Sequence, residues 1–122
     1  MDLPEGLDQG LLVEGHRRLL FVSGQCAVSP DGESLHPGAM GAQTAAAPDN
    51  VEAVLERAGT TLSDIVRMNT YVTDVDDFSA HAGEALSARL EAFGVRPPGV
   101  LAGIARLGRP ELLVELEVVA AD

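Results

Sequence analysis

The chain has no lysine and no tryptophan, one tyrosine, three phenylalanines and one cysteine in 122 residues. All eight basic residues are arginines, set against 19 acids, and the formal net charge is −11 at pH 7. That balance argues against nucleic acid as a partner, because phosphate binding needs clustered Lys or Arg. A lone Cys26 excludes a disulfide framework and a cysteine metal cluster. No apolar run approaches the roughly 18 residues of a membrane span, so no membrane association is expected. With so few aromatics, Leu, Val and Ala must build the core. The opening "MDLPEGLDQG" is acidic and rich in Gly and Pro, unlike a signal peptide. Residues 1–10 therefore read as a flexible arm, residues 1–122 as a single domain, and the cytoplasm as the expected compartment.

A hydrophobic content of 46% suits a globular protein with one core. "LLVEG" at 11–15 reads as a short strand ending in a turn, and "RLLFVSGQCAV" at 18–28 as an apolar strand buried on both faces or at an interface. "SPDGESLHPG" at 29–38 carries turn chemistry. Val51, Val54, Leu55 and Ala58 recur at helical spacing, with Gly59 as the stop. Pro48 leaves two options there: a helix beginning near Asp49, or a longer helix from about residue 40 kinked at the proline. "TLSD" at 61–64 is a turn, and "IVRMNTYVTD" at 65–74 alternates as a half-buried strand. Acids open a second helix, whose face carries Phe78, Ala82, Leu86, Leu90 and Phe93 before Gly94. Strands at 99–107 and 112–120 close the chain. The order β-β-α-β-α-β-β lets two helices cover one face of a sheet, and the open face suggests a homo-oligomer.

Glu115 and Glu117 lie two apart on one strand, about 7 Å between Cα atoms, and face the same way. Such a pair suits general acid–base work or a solvated strand face. Cys26 reads as a small buried residue, since nothing beside it would lower a thiol's pKa. His16, His36 and His81 lack metal-ligand spacing. Gly24, at a strand end, can present its backbone to a ligand without obstruction. No phosphate-binding glycine loop is present, so no nucleotide cofactor is implied. Arg96 and Arg106 flank "RPPGVLAGIARL". Either can clamp a carboxylate, while a solvated Arg96 and an ion-paired Arg106 are the plainer readings. Within that segment Gly99 and Gly103 weaken a strand, unless a bend or a close neighbour needs the missing side chain. Gly99, Val100 and Leu101 thus form a candidate wall of a small-molecule site.

Several separated stretches share one resemblance. "LLFVSGQCAVSPDGE", "AQTAAAPDNVEAVLERAGTTLSDIVRMNTYVTDVDDF" and "PPGVLAGIARLGRPELLVELEVVA" are similar to the Rid family, the YjgF-type reactive intermediate/imine deaminases once labelled L-PSP endoribonucleases. The resemblance runs from about residue 11 to 121. It implies an α+β, chorismate-mutase-like (bacillus-type) fold, with a mixed, mostly antiparallel sheet and two helices on one face. It also implies a first helix that continues through Pro48, a homotrimer with small-molecule sites between subunits, and no metal or cofactor. The family hydrolyses enamines and imines of amino acids.

Carried over residue by residue, the resemblance gives Gly24 as the backbone glycine of the site and Glu115 as the acid that positions water. The family's substrate-clamping arginine falls on Gly99, its helix asparagine on Ala82, and its first-loop tyrosine near Asp8. Ordinary 2-iminoacid deamination is therefore not expected, because a buried carboxylate needs a cation. Two functions stand: a divergent Rid enzyme hydrolysing a neutral imine or enamine, with Glu115 catalytic and Gly24, Gly99, Val100, Leu101 and Arg106 against the ligand, or a non-catalytic trimeric binding or regulatory module.

Overall fold

The structure, a computed structural model, describes residues 8–122. Runs of alternating burial make Leu19–Gln25 (β1), Ile65–Val72 (β2) and Val114–Ala121 (β4) half-buried strands, and Leu101–Gly103 is a short fourth, β3. One sheet holds them in the order β1-β4-β2-β3. β4 pairs antiparallel with both β1 and β2, while β3 runs parallel to β2. The helices are Met40–Arg57 (α1), Val75–His81 (α2) and Gly83–Glu91 (α3). This is the expected α+β architecture with a mixed sheet. Val22, Met68, Val72, Val114, Leu116 and Val118 meet Val51, Leu55, Phe78, Leu86 and Leu90 in one core. Each fully buried Leu or Val there stabilises the fold by roughly 1.5–3 kcal/mol.

α1 runs unbroken through Pro48, which is fully buried. A proline in a helix leaves the carbonyl four residues before it, here that of Thr44, without its N–H partner. In the same turn Arg89 on α3 donates to the Ala45 carbonyl at 3.1 Å and also pairs with Asp49 and Glu52, which ties α3 to this part of α1. Gln43 joins α1 to the far end of the chain. Its amide is fully buried, donates to the carbonyls of His36 and Glu111, and accepts from the N–H of Leu113 at 2.8 Å.

Five expectations need correction. Residues 11–15 form no strand: Leu12 is 82% exposed, and Gly15 turns the chain at a φ of +67°. The apolar run at 18–28 is a strand only to Gln25, where a bulge breaks the register, and its outward residues Leu19 and Phe21 are exposed. The single second helix is two helices. Ala82 leaves the helical region at φ −138°, and Gly83, a poor helix former, follows it against the Phe78 ring. Phe93, expected on the apolar face, is 43% exposed beyond the end of α3. The strand expected at 99–107 is regular only over 101–103. Before it, Pro98 and Val100 still accept from the N–H groups of Met68 and Thr70.

The face of the sheet away from the helices carries Leu19 and Phe21 on β1, Glu115, Glu117 and Val119 on β4, and Arg67, Asn69 and Tyr71 on β2. Of the expected arm, residues 1–7 lie outside the described residues, and the N–H of Asp8 donates to the carbonyl of Arg96.

Candidate active site

Pairing of β1 with β4 brings two residues of the candidate site together across 91 positions of sequence. The bulge between Val22 and Gln25 sets Gly24 beside the half-buried side chain of Glu115. A Cβ on Gly24 would stand 2.5 Å from Glu115 Cδ and 2.6 Å from Oε2. Only a glycine lets the carboxylate lie so close to the β1 backbone. The other oxygen, Oε1, accepts from the thiol of Cys26 at 3.3 Å. Asn50, on α1, anchors the turn that carries this cysteine: its Nδ2 donates to the carbonyls of Cys26 and Val28 at 2.7 and 2.9 Å. Burial pushes the Cys26 thiol up to about 12, and its hydrogen bond to Glu115 adds to the shift. The thiol is therefore a neutral donor across the working pH range. Position 26 was expected to be a small buried filler, and no local pattern marks it otherwise. Its partner lies 89 residues away.

Glu117 does not share in an acid–base pair. Its Oε1 accepts from Asn69 Nδ2 at 2.9 Å and from the Tyr71 hydroxyl at 3.0 Å. These two donors hold its carboxyl below the ordinary range, as a fixed anion. Glu115, by contrast, accepts from Cys26 at one oxygen and has no such pair of donors among the described residues.

The 99–101 segment stands apart from this acid, with β2 between them. Gly99 faces the β2 backbone, and a Cβ there would fall 1.7 Å from the Met68 carbonyl oxygen. The glycine answers a close approach of two backbones, further fixed by the Val100 N–H donating to Asn69 Oδ1. Val100 and Leu101 are half-exposed and line a groove of about 680 Å³ on the helix side, with Met68, Thr70, Phe78 and Leu86. Gly99 is not among its lining residues. Ala82 is buried at the α2–α3 junction. The Arg106 guanidinium donates to the carbonyls of Leu107 and Gly108 in its own loop, and Arg96 lies 3.8 Å from Glu91. Among the described residues no three His, Cys, Asp or Glu side chains gather as a metal site would require, and no helix is long and apolar enough to cross a membrane.

Residues 11–122 match the family model described as Endoribonuclease L-PSP. The chain belongs to this family, also known as Rid or YjgF. A RutC family protein of Pyrococcus abyssi is 34% identical over 102 residues, covering 83% of this chain and 76% of that one. The 2-iminobutanoate/2-iminopropanoate deaminase of Escherichia coli K12 is 30% identical over 121 residues, covering 95% and 84% of the two chains. Among solved structures, the Rid protein YyfB of Yersinia pestis superposes with a TM-score of 0.83 at 32% identity, covering 98% of this chain and 89% of that one. The Rid fold therefore extends over almost all of this chain.

Proposed function

We propose that this Rid-family chain hydrolyses a neutral imine, with Glu115 as the base that activates water and Gly24 as the backbone beside it. The observation that carries the reading is the Glu115 carboxylate seated over Gly24 and held by Cys26. Glu115 takes a proton from water as the oxygen bonds to the imine carbon. The C=N π pair moves to nitrogen, which accepts that proton. The resulting carbinolamine passes its hydroxyl proton to nitrogen as the C–N bond breaks, so the hydroxyl becomes a carbonyl and ammonia leaves. Water and imine are consumed, ammonia and a ketone or aldehyde are released, and no oxidant is needed.

A neutral substrate is supported by the two positions expected to supply a cation, 99 and 106. Position 99 has no room for a side chain, and Arg106 is engaged by its own loop. A net charge of −11 also repels anions. The same charge argues against RNA as a substrate. Leu19, Phe21 and Val119 on the sheet face away from the helices support a homotrimer that buries this surface. Light scattering should give three times the 12.7 kDa of one chain; a stable monomer would contradict it. The enzymatic test is ammonia release from neutral imines and from 2-iminopropionate, with Glu115→Gln alongside. Faster turnover of the neutral substrates, lost in the variant, is expected; equal rates in both proteins reject the reading.

The groove of about 680 Å³ favours a second reading, a non-catalytic module that binds an apolar metabolite there. A ligand that raises Tm in wild type but not in Leu101→Glu supports it, and a screen with no stabilising ligand counts against it.

A further inference from the structure

The site contains a donor that the hydrolytic scheme above has not used. We infer that Cys26 is a positioning residue for Glu115: its thiol occupies Oε1 and leaves Oε2 as the oxygen that takes the proton from water. The inference rests on Glu115 acting as the base.

Three contacts carry it. Sγ lies 3.3 Å from Oε1, within reach for a thiol donor. Gly24 removes the Cβ that would displace Cδ and Oε2. Asn50 fixes the backbone on both sides of the turn through two carbonyls, so the thiol is delivered by a tethered loop. The carboxylate is thereby constrained from two directions, with β1 along one side and sulfur at one oxygen. A base aimed in this way meets a reacting water without reorientation, which is where positioned catalytic groups gain rate. The thiol suits the task because it stays protonated. Burial first, and Glu115 second, disfavour the thiolate, and only Arg109 pulls the other way.

The chain has no other cysteine, so thiol chemistry reports on this contact alone. Cys26 is half-buried, within reach of a small alkylating agent. Iodoacetamide labelling at pH 8.5 is measured first, in wild type and Glu115→Gln. Removing the carboxylate's charge is expected to raise the thiolate fraction and the labelling rate about tenfold. An unchanged rate overturns the inference whatever the hydrolysis assay gives.

Turnover of a neutral imine is measured next. Cys26→Ala is expected to lower kcat about tenfold with KM within about twofold, and Cys26→Ser, which restores a donor, to recover most of it. Equal kcat in Cys26→Ala and wild type overturns the inference, as does a Cys26→Ser variant no better than Cys26→Ala. Undiminished hydrolysis by Glu115→Gln, with labelling accelerated, rejects the role of Glu115 as base and so removes the ground on which the inference stands.

Discussion

Glu115 rests against Gly24 so closely that a methyl group at position 24 would coincide with the carboxylate, 2.5 Å from Cδ. The atoms it would meet are the far end of a flexible side chain. Gly24→Ala is therefore expected to fold with little loss of Tm but to swing the carboxylate away from Cys26. Hydrolysis should fall by at least about tenfold, as for a displaced general base. Combined with Glu115→Gln, the second substitution should cost nothing more, since both remove the same group. Additive losses in that cycle would show that Gly24 acts by another route.

Gly99 meets backbone instead, and the consequence is opposite. A Cβ 1.7 Å from the Met68 oxygen cannot be relieved by a rotamer change. Gly99→Ala is expected to cost roughly 3 kcal/mol, the upper end for an overpacked position. Urea denaturation measures it, and a loss below about 0.5 kcal/mol would mean the segment moves freely. Gly99→Arg should be at least as unstable and should not gain activity on 2-iminopropionate.

Gln43 offers a test of the buried polar node. Gln43→Leu keeps most of the volume but leaves the Leu113 N–H and the Glu111 carbonyl without their partner. Orphaned buried groups of this kind cost about 1–3 kcal/mol each, so a marked fall in the denaturation midpoint is expected. A midpoint within error of wild type would show that water replaces the amide.

Acid stability follows from Glu117. Asn69 and Tyr71 depress its folded pKa, so its contribution to stability is present above the unfolded value and is lost as pH falls through the folded one. Tyr71→Phe removes one donor and should lower Tm at pH 7. The gap from wild type should close below about pH 4, where carboxylates protonate. A gap that persists in acid would assign the effect to packing.

Much of the fold was legible because burial leaves a period. The alternation of Met68, Thr70 and Val72 marked β2, and the resemblance carried α1 through Pro48. The break at Ala82 was not legible for the same reason. Phe78, Ala82, Leu86 and Leu90 keep an i, i+4 stripe across it, and such a stripe records which side chains are buried, not whether the backbone between them is continuous. Of the candidate site, Glu115 stands out by its spacing from Glu117 and Gly24 by its place at a strand end, and the family resemblance is what joins the two. Cys26 does not stand out, because its meaning lies in a strand pairing that no local window contains. At Gly99 the resemblance implies a missing cation, whereas the backbone path at Met68 leaves no room for any side chain there.

The tight seam between Gly99 and β2 also bears on how this lineage can change. Where the resemblance implies a charged anchor, the space that a side chain at position 99 would need is taken by the Met68 carbonyl. A single codon change cannot undo that. An arginine at this position would first require the edge of the sheet to be reopened, so substitution alone does not supply a clamp there.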